Sequence, residues 1–317
     1  MRPRILLCPG DPGWSYDFTA RALVEHLSSR FDFDFDVAYT PADVHTRAPQ
    51  ADLIVDFWWR GALEQHYGKR VLKQVSSHRW ARHKFGSMLP TTLAAKYLAP
   101  SCGVVVPSER LLSIVSNGLA AIGSSVPVTL APKGFAPELF RWSERTGNLR
   151  VGWAGTGRQS DKRLGIIRDA CPDLVEVGPY TNGVELPYEQ MPGFYQSIDV
   201  ITCASDAEGD PRPLIEAMAC GCFPVTVDVG IVPELVIAGD RGDTIAGGVT
   251  LYPRGIVVDR TVDAFRSAFD WCAANAWEIR ERGRVNAERM LAERQWSRCA
   301  QAWGDAFARA LDTRAAA

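Results

Sequence analysis

Two glutamates, Glu208 and Glu216, stand in the run Asp206-Ala-Glu-Gly-Asp-Pro-Arg-Pro-Leu-Ile-Glu-Ala-Met-Ala-Cys-Gly-Cys-Phe-Pro-Val225. The run follows an apolar, strand-like stretch, Val200–Cys203. It carries Pro213 where a first helical turn is expected and Gly221 where that helix would stop, the usual asymmetry of helix ends. A helix opening there turns unpaired amides and the positive end of its dipole towards an anion. Glu208 would lie in the loop before the helix and Glu216 inside its first turns. A carboxylate on either side could then accept protons from hydroxyls. A diphosphate carrying sugars has that chemistry; the alternative is that the two acids cap and decorate a surface helix.

A second candidate is Gly152-Trp-Ala-Gly155-Thr-Gly-Arg158, with Lys162 four residues on. Glycines let a backbone approach a phosphate, and Arg158 and Lys162 would add charge. The spacing reverses that of the dinucleotide fingerprint, although Glu176 lies about where a ribose-binding acid of a nicotinamide site would fall. Lys162 is the only lysine after Lys133, which suggests a particular role, with a solvated helix start as the alternative. A third glycine loop, Pro9-Gly10-Asp-Pro-Gly13-Trp14, reads equally well as a tight turn or as a ligand loop. Asp32-Phe-Asp-Phe-Asp36 contains a D-x-D pattern, but its strict alternation reads as a strand with one acidic and one aromatic face. The eight cysteines include no C-x-x-C pair, so neither a zinc site nor a disulfide framework is indicated. No metal is expected.

Between Gln65 and Ser108 there is no Asp or Glu, while Lys69, Arg70, Lys73, Arg79, Arg82, Lys84 and Lys96 all fall there, with Trp80 and Phe85 interleaved. Such a stretch suits an anionic lipid surface or a phosphate-bearing acceptor, or is simply a solvated basic face.

The elements that must hold these residues alternate along the chain. Strand-like runs at Ile5–Cys8, Phe33–Tyr39, Leu53–Phe57, Val71–Val75, Val104–Val106 and Val126–Leu130 are separated by helix-length stretches. The rhythm pauses at the polar stretch Ser143–Asn148. It restarts with Leu149–Trp153, Leu174–Val177, Val200–Cys203 and Pro224–Val227. From Val262 to Leu311 the pattern is helical. A βαβ rhythm implies parallel sheets, and 317 residues implies two domains. With 46% hydrophobic and 23% charged residues the chain can build sizeable cores. Residues 1–140 hold 15 Lys and Arg against 12 Asp and Glu, and the remainder 20 against 25; neither half is a nucleic-acid footprint. The apolar run at the start is too short for an export signal, and the uncharged stretch Leu111–Pro132 is broken by Asn117, Gly118, Gly123 and Pro127, so a cytoplasmic chain without a membrane span is expected.

The run Glu208-Gly-x-Pro-x4-Glu216-Ala-Met-Ala-x-Gly, followed by Asp228-Val-Gly-x-x-Pro-Glu234, resembles the signature of the GT-B-fold, retaining glycosyltransferases of family 4. Arg150-Val-Gly-Trp-Ala-Gly with Lys162 is similar to that family's strand, glycine loop and phosphate-binding basic residues. Tyr188–Tyr195 with Ile198-Asp-Val200 is similar to its helix before the donor strand, and Lys133-Gly-Phe-x-Pro-x-Leu-Phe140 to its interdomain segment. The departures are Lys133 for asparagine, Ala136 for aspartate, Ile231 for a second glycine, and Arg163 where glycine usually follows the lysine.

The resemblance implies an α/β, GT-B architecture of two Rossmann-like domains with parallel sheets facing across a cleft. Residues 1–140 would bind the acceptor and 141–295 the donor, with a helix over 296–317 packing back towards the first domain. It implies a retaining, metal-independent transfer from a nucleotide-diphosphate sugar to a glycan or lipid-linked acceptor, with no cofactor; the charge balance argues against a nucleic-acid partner, and the basic stretch adds the expectation of a peripheral contact with anionic membrane. By carry-over, Glu208 binds the donor sugar and Glu216 the nucleotide ribose. Arg158 and Lys162 hold the diphosphate, and Gly155, Gly209, Pro211, Arg212, Pro213 and Leu214 complete the donor site. Glu208, Lys162 and His78, which follows the strand Val71–Val75, form the catalytic set, and Gly10 and Gly13 contribute a loop of the first domain. Neighbouring readings are a sugar-nucleotide epimerase or hydrolase of the same fold, and a non-catalytic sugar-nucleotide-binding protein.

Overall fold

The computed structural model describes residues 2–29, 31–82 and 86–315. Lys84 and Phe85 of the basic stretch lie outside them. The chain forms two compact units, one from residues up to Gly134 together with Trp296 onwards, the other Phe135–Gln295.

In the first unit the order is β1 (Arg4–Cys8), α1 (Ser15–Leu27), β2 (Asp34–Val37), α2 (Pro41–Arg47), β3 (Leu53–Asp56), α3 (Leu63–Tyr67), β4 (Val71–Gln74), α4 (Pro90–Leu93), β5 (Gly103–Val106), α5 (Glu109–Ala121) and β6 (Val128–Leu130). The six strands form an all-parallel sheet in the order β2-β1-β3-β4-β5-β6. Because side chains alternate along a strand, a sheet covered on both faces needs unbroken apolar strands. Ile5 and Leu7 of β1 and Leu53 and Val55 of β3 pack with α1, while Leu6, Cys8 and Ile54 pack with Val44 of α2. The final helix, Trp296–Ala315, belongs to this unit: Trp296, Cys299, Ala300, Trp303, Ala306 and Phe307 recur at helical spacing and join the cluster around α1.

The second unit runs β7 (Val151–Ala154), α6 (Leu164–Ala170), β8 (Val175–Val177), α7 (Met191–Gln196), β9 (Val200–Cys203), α8 (Arg212–Ala219), β10 (Phe223–Thr226), β11 (Asp243–Ala246), β12 (Val249–Tyr252), β13 (Gly255–Val258), α9 (Val262–Ala274) and α10 (Ala276–Glu293). The sheet order is β11-β12-β13-β10-β9-β7-β8. Strands β8, β7, β9, β10 and β13 are parallel, whereas β12 runs antiparallel to β11 and β13. The expected parallel sheet is extended at one edge by an antiparallel hairpin, β11–β12, against β13. A four-residue strand between the turns Gly247-Gly248 and Pro253-Arg254 is too short for a crossover helix, so the chain returns as hairpins. The boundary between units lies at Gly134/Phe135, not at 140/141, because Phe135 and Phe140 are fully buried in the core of the second unit. The D-x-D segment is the edge strand β2, with Asp36 paired to Arg47 and Asp32 to Arg2. Among the described residues no helix is long and apolar enough to cross a membrane.

The first unit holds a buried ionic triad. Lys73 of β4 is wholly inaccessible and pairs with Glu64 at 2.7 Å, while Asp56 stands at 3.8 Å. With its nearer partner taking most of the lysine's charge, Asp56 is poorly compensated. Burial pushes its carboxyl up to about 6, against the pull of Lys73 and of the Trp58 N–H. A carboxyl raised in the folded state contributes stability that is complete below its ordinary value near 3.8 and is lost as pH rises through about 6. Asp56→Asn removes that dependence. Its stability relative to the unaltered chain is therefore expected to rise by about 1–3 kcal/mol between pH 4 and pH 7 in urea unfolding. A difference independent of pH would refute the assignment.

Candidate active site

In the second sheet β7 is flanked by β8 on one side and β9 on the other, so the chain reverses its direction of travel between β7 and β9. Loops leaving the carboxyl ends of two such strands diverge and open a crevice. The β7–α6 connection and the β9–α8 connection meet there, and Lys162 from the first forms an ion pair with Glu208 from the second, both side chains mostly buried. A second tie lies beside it: Arg163 pairs with Asp206 at 2.8 Å, and the Asp206 N–H donates to the Asp161 carbonyl. Arg163 sits where glycine was expected, and its φ of +54° is the left-handed conformation that glycine supplies freely. The ion pair to Asp206 holds the arginine in it.

Helix α8 starts with Pro211 as its N-cap and Pro213 in its first turn. Neither carries an N–H, so Arg212 supplies the first amide at this end. Glu216, one turn in, is buried and accepts from four donors: Tyr188 Oη and Tyr195 Oη, each at 3.1 Å, and Arg212 Nε and Nη2 at 3.1 and 2.8 Å. The Arg212 guanidinium also lies 4.9 Å from the centre of the Tyr188 ring. Burial, and then the Glu216 charge, push both phenols up, so they remain protonated donors. At the far end of α8 Arg145 closes the helix, its Nη2 donating to the carbonyls of Cys220 at 2.7 Å and Tyr195 at 3.1 Å. Composition and spacing gave no sign of Arg145, which acts across 75 residues.

The loop carrying Glu208 is fixed from behind by the Asp228-Val-Gly segment. Gly230 has φ +54°, and a Cβ there would lie 2.2 Å from the Gly209 carbonyl oxygen. Ile231, where a second glycine was expected, is a fully buried core residue. In the β7–α6 loop the glycines serve backbone packing. The N–H groups of Gly155 and Gly157 donate to the carbonyls of Val177 and Pro179, so these two amides are committed within the protein. Arg158 is exposed and stacks on Tyr180. Glu176, the ribose acid of a nicotinamide reading, is held by Arg168 through two 2.7 Å bonds and by the Asn182 N–H, which removes support for that reading.

The carboxyl edge of the first sheet gathers the other sequence-predicted residues. Gly10 and Gly13 are both left-handed, at φ +81° and +75°. The Gly13 N–H donates to Asp17, and Tyr16 of α1 bonds to Ser76 beyond β4. Lys133 is nearly buried, with Nζ 3.5 Å from Ser15 Oγ and 5.8 Å from the Tyr16 ring centre. His78 is half-buried, two residues beyond Ser76, with its ring edge towards Trp80. Among the described residues, part of the basic stretch is used inside the first unit. Lys73 and Trp80 are core residues, Lys69 bonds the carbonyls of Ala99 and Ser101, and Arg70 those of Ala48 and Ala51. The acid that neutralises Lys73 is Glu64, one residue before the stretch begins.

The model of the family "Glycosyl transferases group 1" matches residues 183–289, a span that includes Glu208, Glu216 and Asp228-Val-Gly but not Lys162. Over that third of its length the chain carries the group 1 glycosyltransferase pattern. Its fold is GT-B, shared over the whole of both chains with sucrose-phosphate synthase from Thermosynechococcus elongatus at 16% identity and a TM-score of 0.75. HepE from Anabaena, solved with UDP and glucose, superposes with a TM-score of 0.70 at 14% identity over 97% of this chain and all of that one. The pneumococcal O-GlcNAc transferase GtfA, in complex with UDP and GlcNAc, matches 82% of this chain and 57% of its own at 12% identity, with a TM-score of 0.58. No curated protein matches the glycosyltransferase by sequence.

The fixed loop behind Glu208 is testable without catalysis. Gly230→Ala forces a methyl group onto a backbone oxygen, so the loop must shift. A melting temperature several degrees below the unaltered chain is expected, from about 1–3 kcal/mol of strain. Gly193→Ala in α7, where nothing lies within 4 Å, is expected to be neutral or stabilising. Equal melting temperatures for the two variants would contradict the packing described.

Proposed function

We propose that the glycosyltransferase moves a hexosyl group from a nucleoside-diphosphate sugar to a hydroxyl of a glycan or lipid-linked acceptor with retention, and without a metal. The observation that carries this is the Lys162–Glu208 ion pair at the mouth of the β7/β9 crevice, beside the start of α8. It sets a cation for a diphosphate next to a carboxylate for sugar hydroxyls, on loops held in place by Gly230 and Asp206. Binding of UDP with glucose by HepE, and of UDP with GlcNAc by GtfA, supports a donor of this class.

In this reading the donor exchanges partners with the ion pair: its diphosphate takes Lys162 and Arg158, and a sugar hydroxyl takes Glu208. The bond from the anomeric carbon to the diphosphate oxygen breaks with its electron pair on the diphosphate. The acceptor oxygen bonds to that carbon from the same face, and its proton passes to the departing diphosphate. Lys162 stabilises the charge that grows on the leaving group, the role otherwise filled by a bound cation. Glu216, under Tyr188, Tyr195 and Arg212, takes the ribose when Arg212 turns to the diphosphate. The acceptor would be taken by the carboxyl edge of the first sheet, with Gly10, Gly13, Lys133 and His78. A cytoplasmic setting fits this donor, with Arg79, Arg82 and Lys96 as the charges that would touch an anionic membrane.

Transfer is expected to survive EDTA when radiolabelled UDP-glucose and other nucleotide sugars are offered with membrane-extracted or soluble glycans. Loss on chelation with recovery on adding manganese would overturn the metal-free step. Lys162→Ala is expected to lower kcat/KM by an amount equivalent to about 2–4 kcal/mol, the scale of removing one preorganised charge-stabilising group. Glu208→Ala should act mainly on kcat and Glu216→Ala mainly on the donor KM, because a ribose contact is made alike in ground and transition states. The reverse split would interchange their roles.

A further inference from the structure

The loop after β8 presents an aromatic ring beside the crevice, and its backbone is held for that purpose. Gly178, at φ +129°, packs so closely that a Cβ would meet the Gly155 carbonyl oxygen at 1.9 Å, and a Cβ on Gly157 would meet the Tyr180 carbonyl oxygen at the same distance. The Gly157 N–H donates to the Pro179 carbonyl at 3.0 Å, Thr181 Oγ1 to the Gly178 carbonyl at 2.7 Å, and the Asn182 N–H to Glu176. The loop is thus clamped both to β8 and to the β7–α6 loop that carries Arg158 and Lys162.

Within this clamp Tyr180 adopts φ +59° while remaining 69% exposed. The left-handed conformation costs a bulky residue and costs glycine nothing. Glycine occupies four nearby positions, Gly155, Gly157, Gly178 and Gly183, so a tyrosine kept in such a conformation with its ring in solvent contributes nothing visible to packing. Strain retained at an exposed position on a rigid loop marks function. The Arg158 guanidinium lies 5.3 Å from the ring centre, with Nη1 3.5 Å from the hydroxyl, so the cation and the ring form one unit.

We infer that Tyr180 is the stacking platform for the nucleobase of the donor, with Arg158 bridging from the ring towards the diphosphate. The inference deepens the proposed function and rests on its reading of the crevice as a nucleoside-diphosphate-sugar site. A flat π-face recognises a base by stacking, which tolerates different bases. Tyr180 therefore sets affinity for the nucleoside part of the donor and leaves its identity to other contacts.

Calorimetric titration with UDP, ADP, GDP and dTDP of the unaltered chain and of Tyr180→Phe, Tyr180→Ala and Tyr180→Gly tests this, with melting temperatures taken alongside. Tyr180→Ala and Tyr180→Gly are expected to weaken the best-bound nucleotide by about 5- to 100-fold, the range of one base–aromatic stack. Tyr180→Phe should keep most of the affinity. Tyr180→Gly should melt no lower than the unaltered chain, since it relieves the backbone. Equal affinity in all four proteins overturns the inference and leaves the donor reading intact, as does loss in Tyr180→Phe equal to that in Tyr180→Ala. A marked fall in the melting temperature of Tyr180→Gly makes the tyrosine a structural residue and overturns it likewise. Failure of the unaltered chain to bind any of the four nucleotides overturns the donor reading, and the inference with it.

Discussion

The ion pair between Lys162 and Glu208 joins the β7–α6 loop to the β9–α8 loop, the two loops on which the proposed chemistry rests. Each residue leaves a different parallel strand, β7 or β9, and they meet only because those strands are neighbours across the point where the sheet reverses its order. The strands are short and apolar on both faces, so the positions of their ends follow from core packing. The loops beyond them are then fixed by a small number of close approaches, Gly230 on Gly209 and Arg163 on Asp206.

A partly buried ion pair is an uncertain source of stability, since desolvation offsets much of the attraction. Its value here lies in what can replace each partner. In the proposed reaction a diphosphate would satisfy the lysine and a hydroxyl the carboxylate, so neither charge would be left buried alone. The same logic holds for Arg212 and Glu216, which are four residues apart on α8 and share the Tyr188 hydroxyl. Both carboxylates of the signature are thus held by cations in this structure.

Most of the fold of the second unit was legible in the sequence because its signals are local. A strand, a glycine or proline stop and a helix lie within a few residues of one another, and the strand-end rule converts their order into a position in space. What was not legible depends on partners distant along the chain. Arg145 reaches the end of α8 across 75 residues and Arg280 reaches Asp199 across 81, and no periodicity announces either. The charge sum over the basic stretch was misleading at one position for the same reason in reverse. A charge sum over residues 65–108 counts Lys73 as exposed, whereas β4 places it in the core opposite Glu64, a residue just outside the window. The antiparallel β12 was hidden by its length, which is too small for alternation to be read.

Two non-glycine residues near the crevice, Arg163 and Tyr180, have positive φ, and they differ in what they receive for it. Arg163 is compensated within the protein, since its guanidinium meets Asp206 and fastens the β7–α6 loop to the β9–α8 loop. The replacement of glycine there exchanges conformational freedom for a tether, so the loop keeps its shape by attraction where a glycine would keep it by permissiveness. Tyr180 has a rigid frame around it and its ring meets Arg158, itself exposed. In the proposed role, strain without internal compensation at an exposed ring points outward, to something the ring meets from solvent. The two departures therefore differ in kind, one closing on the protein and the other, in the role proposed for Tyr180, opening to a ligand.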